Sequence, residues 1–440
     1  MRAEYYRRTA PLLLASAALA AGTSVLGAGT ETLTLEAALQ RALESGPALA
    51  VADAAAELAQ AQLVQARRPS NPELSLEAEN VFGKGRFRDF DAAETTVALH
   101  QSMAIGGKRS VRVEAAAAGV EQACLGLELA QRETRREVTI AYARVLLTDR
   151  LATLARERHA ATLTLRDAVR RRVVAGLEAE LQLARIEVEA TTSLGALNRS
   201  RGEAAIARRA LGRWLGVETV PERLDDTWFD QSPAAPVAVA FDPEQHPHLR
   251  RQRAREAELE SLARLARRKS IPDATLSVGI RRFADATPDE DRALTLGLSV
   301  PLPLWDRNAV GLAAARSELV QARLAVAEAR RALTDAFATA SAAQTAAATE
   351  LRALSESGLP AARSAASLAV RGYEAGRLSL LDRLAAERAV RDVEEALERT
   401  RFAVQESAAQ LDYLGAGSIR GRRGSSCDQR DAGAQQQHAQ

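Results

Sequence analysis

A chain of 440 residues, 47% hydrophobic and 26% charged, is long enough for a sizeable core and too apolar for a disordered one. Only 4% is aromatic, and alanine and leucine are interspersed with arginine and glutamate, a composition that suits long helices packed side by side better than a conventional enzyme core. The 59 basic and 57 acidic residues leave a formal charge of +2 with the signs interleaved, which argues against a nucleic-acid partner.

At the N-terminus, Arg2, Arg7 and Arg8 precede an apolar stretch from Pro11 to about Ala21 and then small residues to Gly29. This is the order of a secretory signal peptide, expected over residues 1–28 with the cleavage point open between Ala20 and Ala28. No cysteine precedes Cys124, so a cysteine-linked lipid anchor is not expected, and no later apolar run has the length of a membrane helix. Cys124 and Cys427 lie far apart without C-x-x-C spacing, which suggests neither a disulfide framework nor a zinc site. His100, His159, His246, His248 and His438 form no liganding cluster, so no metal site and no cofactor are expected.

Comparing the chain with itself reveals a duplication. Pro47-Ala48-Leu49 matches Pro247-His248-Leu249, and Arg67-Arg68-Pro69-Ser70-Asn71-Pro72 matches Arg267-Arg268-Lys269-Ser270-Ile271-Pro272, both at an offset of 200. Ile105 falls opposite Trp305, Ala175-Gly176 opposite Ala375-Gly376, and Leu215-Gly216 opposite Leu414-Gly415 with one residue lost. The mature chain therefore divides into a first unit, 29–216, a linker, 217–243, a second unit, 244–415, and a polar tail, 416–440, that reads as disordered.

Each unit holds two segments of period two. In the first, Leu74, Leu76 and Ala78 alternate with Glu73, Ser75, Glu77 and Glu79, and then Val97, Leu99, Met103 and Ile105 oppose Thr96, His100 and Ser102. These predict strands at about 72–82 and 95–105, and the same pattern in the second unit predicts 273–283 and 293–302. Helical spacing fills the rest, with long helices expected over 108–175, 178–214, 308–375 and 378–414. The seams, such as Leu147, Leu151, Leu154 and Leu165, would serve a wall of helices or a soluble antiparallel coiled coil equally well.

Four strands with one apolar and one polar face pose a closure problem. A sheet in lipid can leave no edge, and four strands are too few to close a pore, so several chains would have to share one barrel. The polar faces, with Glu73, Glu77, Glu79 and Arg281, would then approach the lumen and the apolar faces would meet outer-membrane lipid. A periplasmic sheet with a helix-covered apolar face is the alternative. At each helix return, Gly176-Leu177 and Gly376-Arg377-Leu378-Ser379, glycine supplies the left-handed backbone that ends a helix before a sharp turn.

This exported, duplicated unit of helix, two strands, long helix and return helix resembles the TolC-like outer-membrane factors over essentially the whole mature chain. Leu33-Thr34-Leu35-Glu36-Ala37-Ala38-Leu39, Asn71-Pro72-Glu73-Leu74-Ser75 and Val300-Pro301-Leu302-Pro303-Leu304-Trp305-Asp306-Arg307-Asn308 are similar to family signatures, the last two to the heavy-metal efflux branch for cobalt, zinc and cadmium or copper and silver. The resemblance implies a mainly α fold with a small β part: a homotrimer whose four strands per chain close a twelve-stranded outer-membrane barrel above a twelve-helix periplasmic tunnel. It further implies a passive duct that works with a periplasmic adaptor (membrane fusion protein) and an inner-membrane RND pump. It assigns adaptor docking to the tip residues Gly176, Leu177, Gly376, Leu378 and Ser379, and the periplasmic gate to Tyr373, Arg377 and Asp382. Arg377 sits one place early, and Gln182 stands where an acid is usual, so the clamp would meet an amide. No phosphate-binding GxxxxGK[ST] loop is present, and acid–base pairs occur only at helix-surface spacings, so no catalytic residue and no enzyme activity are expected. A drug or type I protein-secretion duct, and a soluble periplasmic coiled-coil scaffold, are the competing functions.

Overall fold

The computed structural model describes residues 32–90, 92–230, 241–284, 292–415 and Cys427. The expected signal peptide (1–28) and, Cys427 aside, the expected tail (416–440) lie outside the described residues. In chain order the elements are α1 (Leu35–Ser45), α2 (Pro47–Arg67), β1 (Glu73–Glu79), β2 (Glu94–Met103), α3 (Lys108–Val174), α4 (Glu180–Leu215) and the short α5 (Thr227–Asp230). The second copy follows as α6 (Pro247–Arg268), β3 (Ala274–Phe283), β4 (Arg292–Ser299), α7 (Ala309–Ala353), α8 (Leu359–Glu374) and α9 (Leu380–Leu414).

Two boundaries differ from the expectation for local reasons. β1 stops at Glu79 because Asn80 and Phe82 turn to left-handed φ values of 58° and 57°. β4 stops at Ser299, just ahead of Pro301 and Pro303, which have no N–H to offer a ladder. The unbroken helix expected over 308–375 is also divided. Pro360 cannot donate to the preceding turn, and the chain widens into a π-turn over Leu354–Gly358 before resuming as α8.

The helix α3 has 67 residues, about 100 Å at the standard rise, and everything else is arranged along it. Toward the sheet the wall runs α2, α3, α6, α7; toward the far end it runs α4, α3, α9 and then α7 with α8. Between these halves lies the largest core cluster, built on the fully buried Tyr142 with Ala38, Ala42, Leu211, Leu215 and Phe229. The Tyr142 hydroxyl lies 2.6 Å from the Leu33 carbonyl and 2.8 Å from that of Asp225, so one buried phenol ties the N-terminal segment to the linker beside the Leu33–Leu224 bridge. A second cluster, Leu249, Val326, Ala329, Leu333 and Leu414, joins α6, α7 and α9. The two repeats are also tied at the base of the sheet, where the buried Lys108 ammonium meets Asp273 at 2.8 Å.

One expectation is overturned. Cys124 and Cys427 form a disulfide, with Cα atoms 5.8 Å apart across a separation of 303 residues. Local spacing carries no trace of such a bond, because only the folded chain brings Cys427 to α3.

Candidate functional site

The four strands form one antiparallel sheet in the order β1-β2-β3-β4, so the two hairpins pair with each other through β2 and β3. The register places Leu74, Leu99, Val278 and Leu296 on one face. That face is bare: Leu76, Leu294, Leu296 and Leu298 are each about 70% exposed, and among the described residues no helix covers them. Among the described residues neither β1 nor β4 has an outer partner, which leaves two open edges.

The opposite face is polar and internally paired. His100 Nε2 lies 2.8 Å from Ser75 Oγ. Arg281 bridges Glu79 at 3.0 Å and Glu94 at 2.8 Å and donates to Thr96 Oγ1 at 3.0 Å, so of the four residues expected on this face, Glu79 and Arg281 are brought together. Glu73 and Glu77 stand exposed on the edge strand. Among the described residues no helix is long and apolar enough to cross a membrane, and no group of three or more His, Cys, Asp or Glu is placed to hold a metal ion.

At the far end the two helix hairpins turn with the same backbone. In the first, Gly176 (φ 73°) donates to Val173 O at 2.9 Å and Leu177 to Arg172 O at 2.9 Å. In the second, Gly376 (φ 70°) donates to Tyr373 O at 2.9 Å and Arg377 to Gly372 O at 2.8 Å. Both are Schellman caps, which require an unhindered left-handed residue. Gly372 has a further reason to be glycine, since a Cβ there would come within 2.5 Å of Leu378 Cδ1.

The gate candidates are arranged as follows within one chain. The Tyr373 hydroxyl donates to Glu178 at 3.1 Å, joining the second hairpin to the first. The guanidinium groups of Arg172 and Arg383 lie 5.4 and 5.5 Å from the Tyr373 ring centroid, and Arg172 also pairs with Glu178 at 3.4 Å. Burial and the neighbouring Glu178 push the Tyr373 phenol above its ordinary range, so it remains a donor. Gln182 does not reach Tyr373; its amide oxygen lies 3.5 Å from Arg185. Arg377 is exposed and has no ion-pair partner among the described residues. Asp382 is exposed, and its carboxylate accepts from Ser379 N at 3.0 Å and Ser379 Oγ at 2.6 Å while Ser379 Oγ accepts from Asp382 N, a capping box that starts α9. Those hydrogen bonds hold the Asp382 carboxyl below the usual range.

A second tie between the hairpins, invisible to motif reading, sits nearly four turns further along α3, about 20 Å away. Glu189 of α4 is only 5% exposed and bonds Arg158 of α3 at 2.9 Å and Arg388 of α9, with Arg391 at 4.0 Å. Burial alone would raise its pKa, but the bonds and charges of Arg158 and Arg388 outweigh burial and hold it below the carboxylate range. Leu165, Val169, Ile186, Leu380 and Leu384 pack between this tie and Tyr373. The signal that could have found Glu189 is an acid at the buried i, i+3, i+4 positions of an otherwise apolar helix face, with Ile186 and Ala190 beside it.

A wall of long helices that carries an open sheet with one apolar and one polar face has the form expected of one stave of a membrane-embedded tube. The family model described as "Outer membrane efflux protein" matches residues 38–217 and 243–416, one match per repeat, and the chain belongs to that family. Among characterised relatives, the cobalt-zinc-cadmium resistance protein CzcC of Cupriavidus metallidurans is 28% identical over 358 residues, covering 81% of this chain and 83% of that one. The nickel-cobalt-cadmium resistance protein NccC of Alcaligenes xylosoxydans is 28% identical over 326 residues, covering 72% and 71%. The crystal structure of CusC superposes with a TM-score of 0.76 at 18% identity, covering 87% of this chain and 92% of that one, and the outer-membrane protein VceC of Vibrio cholerae does so at 0.73 and 18%, covering 87% and 96%. The fold is therefore that of the outer-membrane efflux channels.

Proposed function

We propose that three copies of this chain close a passive duct through the outer membrane and periplasm, and that its cargo is heavy-metal cations delivered by a tripartite pump. The observation that carries the duct is the bare four-stranded sheet with two unpaired edges. An apolar sheet face in water and two open edges are both costly for one chain alone; three chains joined β1 to β4 would close the edges, and outer-membrane lipid would cover the apolar face. The cation cargo rests on the resistance proteins among the relatives. Export through a cleaved signal peptide fits the same reading.

Power comes from an inner-membrane RND pump through a periplasmic adaptor, and no residue here is assigned a catalytic role. The adaptor docks on the tips, where Leu177 and Leu378 are 68% and 42% exposed beside Gly176, Gly376 and Ser379. The gate is the closed pair of hairpins held by Tyr373 with Glu178, while Asp382 and Arg377, exposed at the turn, face the neighbouring copies and set the charge of the entrance. Purified protein in detergent is expected to run as a trimer and to conduct in planar bilayers; a monomer in the soluble periplasmic fraction would reject the duct. A deletion strain is expected to lose tolerance to zinc, cobalt, cadmium or copper. Lost antibiotic tolerance with metal tolerance intact would reject the cargo.

A further inference from the structure

The apolar band on the sheet is too short for the membrane it is proposed to meet. On β4 it runs from Leu294 to Leu298, about 14 Å of strand, against ~25 Å for the apolar band of an outer-membrane barrel. It cannot be lengthened away from the helices, because the next row on the same face is Arg292 opposite Arg282. At the helix end it continues. Past β4, Val300, Leu302 and Leu304 keep the spacing of two and are exposed, and Trp305 beside them is 94% exposed. The backbone of this stretch also suits lipid: Pro301 and Pro303 have no N–H, and Leu304 N donates to Leu302 O at 2.9 Å.

A row of cations lies at this end of the sheet. Arg67, Arg68, Arg109, Arg267, Lys269 and Arg307 stand exposed at the four junctions between strands and long helices, and none has a carboxylate partner among the described residues. The acids at this level are engaged elsewhere. Asp273 takes Lys108 and Ile105 N, Asp306 takes Asn308 N, and Glu73 lies on the polar face of the sheet.

We propose that the stretch from Val300 to Trp305 completes the membrane band at its periplasmic edge, with Trp305 at the headgroup level of the inner leaflet, and that the six cations bind the phosphate groups of anionic phospholipids there. An indole has an apolar body and one N–H donor, which fits the boundary between acyl chains and headgroups. Five of the six cations are arginines, whose planar forks can each hold a phosphate through two hydrogen bonds. Three copies repeat the row into a ring, and the ring fixes how deep the channel sits while its far end is pushed and pulled by partners.

Full-length protein in proteoliposomes tests both parts. The chain has three tryptophans, and Trp214 and Trp228 pack in the cluster around Tyr142, about 50 Å along α3 from its start at Lys108. Nitroxide-labelled phosphatidylcholine therefore reads Trp305 alone. Emission is expected to be quenched more by a label near the headgroup than by one deep in the acyl chain, and Trp305→Phe should remove the quenching. No quenching, or stronger quenching by the deep label, would overturn the placement of Trp305. Spin-labelled phosphatidylglycerol is expected to associate severalfold more strongly than phosphatidylcholine. That preference should fall toward parity in high salt and in the combined variant Arg67→Gln, Arg68→Gln, Arg267→Gln and Lys269→Gln. Equal association of the two lipids, or a preference that the variant leaves untouched, would overturn the phosphate contacts. Conductance of the same proteoliposomes reads insertion by itself. A conducting channel that fails these tests refutes the lipid belt alone, whereas a chain that never inserts refutes the outer-membrane reading on which the belt rests.

Discussion

The two repeats share a backbone and differ in how they end it. α2 starts at Gly46 with no side-chain cap, whereas its counterpart α6 starts at His246, whose ring accepts from His248 N at 3.2 Å. α4 likewise starts at Ala179 without a side-chain cap, whereas α9 starts in the Ser379–Asp382 capping box. The first copy instead contributes carboxylates: Glu178 receives Tyr373, and Glu189 receives Arg158, Arg388 and Arg391. Duplication preserved the positive-φ turns that geometry demands and let the side chains diverge, so that one hairpin is firmly capped and the other holds it. A gate built from two identical hairpins would have no such division of roles.

Breaking the holding side has the largest expected effect. Glu189→Ala leaves three guanidinium groups converging on an empty buried position, which should cost about 3–4 kcal/mol, the lower part of the range for a broken buried pair because Arg388 is 54% exposed. Denaturant unfolding checks the loss, and bilayer conductance is expected to rise as the hairpins part. Glu189→Gln should cost less. Because the folded pKa is lowered, this tie is complete above the ordinary glutamate value and is lost only as pH falls through the lowered one.

The capped side has its own acid sensitivity at α6. Burial pushes the His246 imidazole down to about 4, with Arg132 and His248 adding to the effect against the Tyr413 carbonyl. The unfolded chain therefore binds this proton first. Stability is complete above about pH 6.5 and declines by about 2–3 kcal/mol as the pH falls toward 4. His246→Asn retains a capping side chain and should flatten that slope in pH-dependent melting; an unchanged slope would clear His246 of the role.

Tyr373→Phe removes only the hydroxyl bond to Glu178 and keeps the ring under Arg172 and Arg383. It should cost about 1 kcal/mol and raise the open probability of single channels modestly, with Arg377 and Gln182 substitutions smaller still in stability. The smallest test exchanges the caps. Ser379→Ala should lose about 1 kcal/mol and Ala179→Ser should gain a few tenths to about 1, narrowing the difference between the hairpins as followed by hydrogen exchange at the two turns.

Period-two and helical spacing, a repeat offset of 200 and the two turn glycines sufficed to reach long helices, four amphipathic strands and the positions of the tips from the sequence alone, because each is a local property of backbone and side-chain alternation. Pro360 falls inside the helix expected over 308–375, but whether a proline ends, kinks or widens a helix depends on the packing around it, and the result here is a π-turn. The partners of the site residues were likewise beyond reach. Tyr373 meets Glu178, Arg281 meets Glu79 and Glu94, Glu189 meets arginines from two other helices, and Cys124 meets a cysteine 303 residues away. Apart from Arg158 and Glu189, which meet within the first hairpin, each of these pairs joins segments that become neighbours only when distant parts of the chain fold against one another. Pattern within a segment says which face a residue takes, while which residue stands opposite is decided by how whole helices and strands dock.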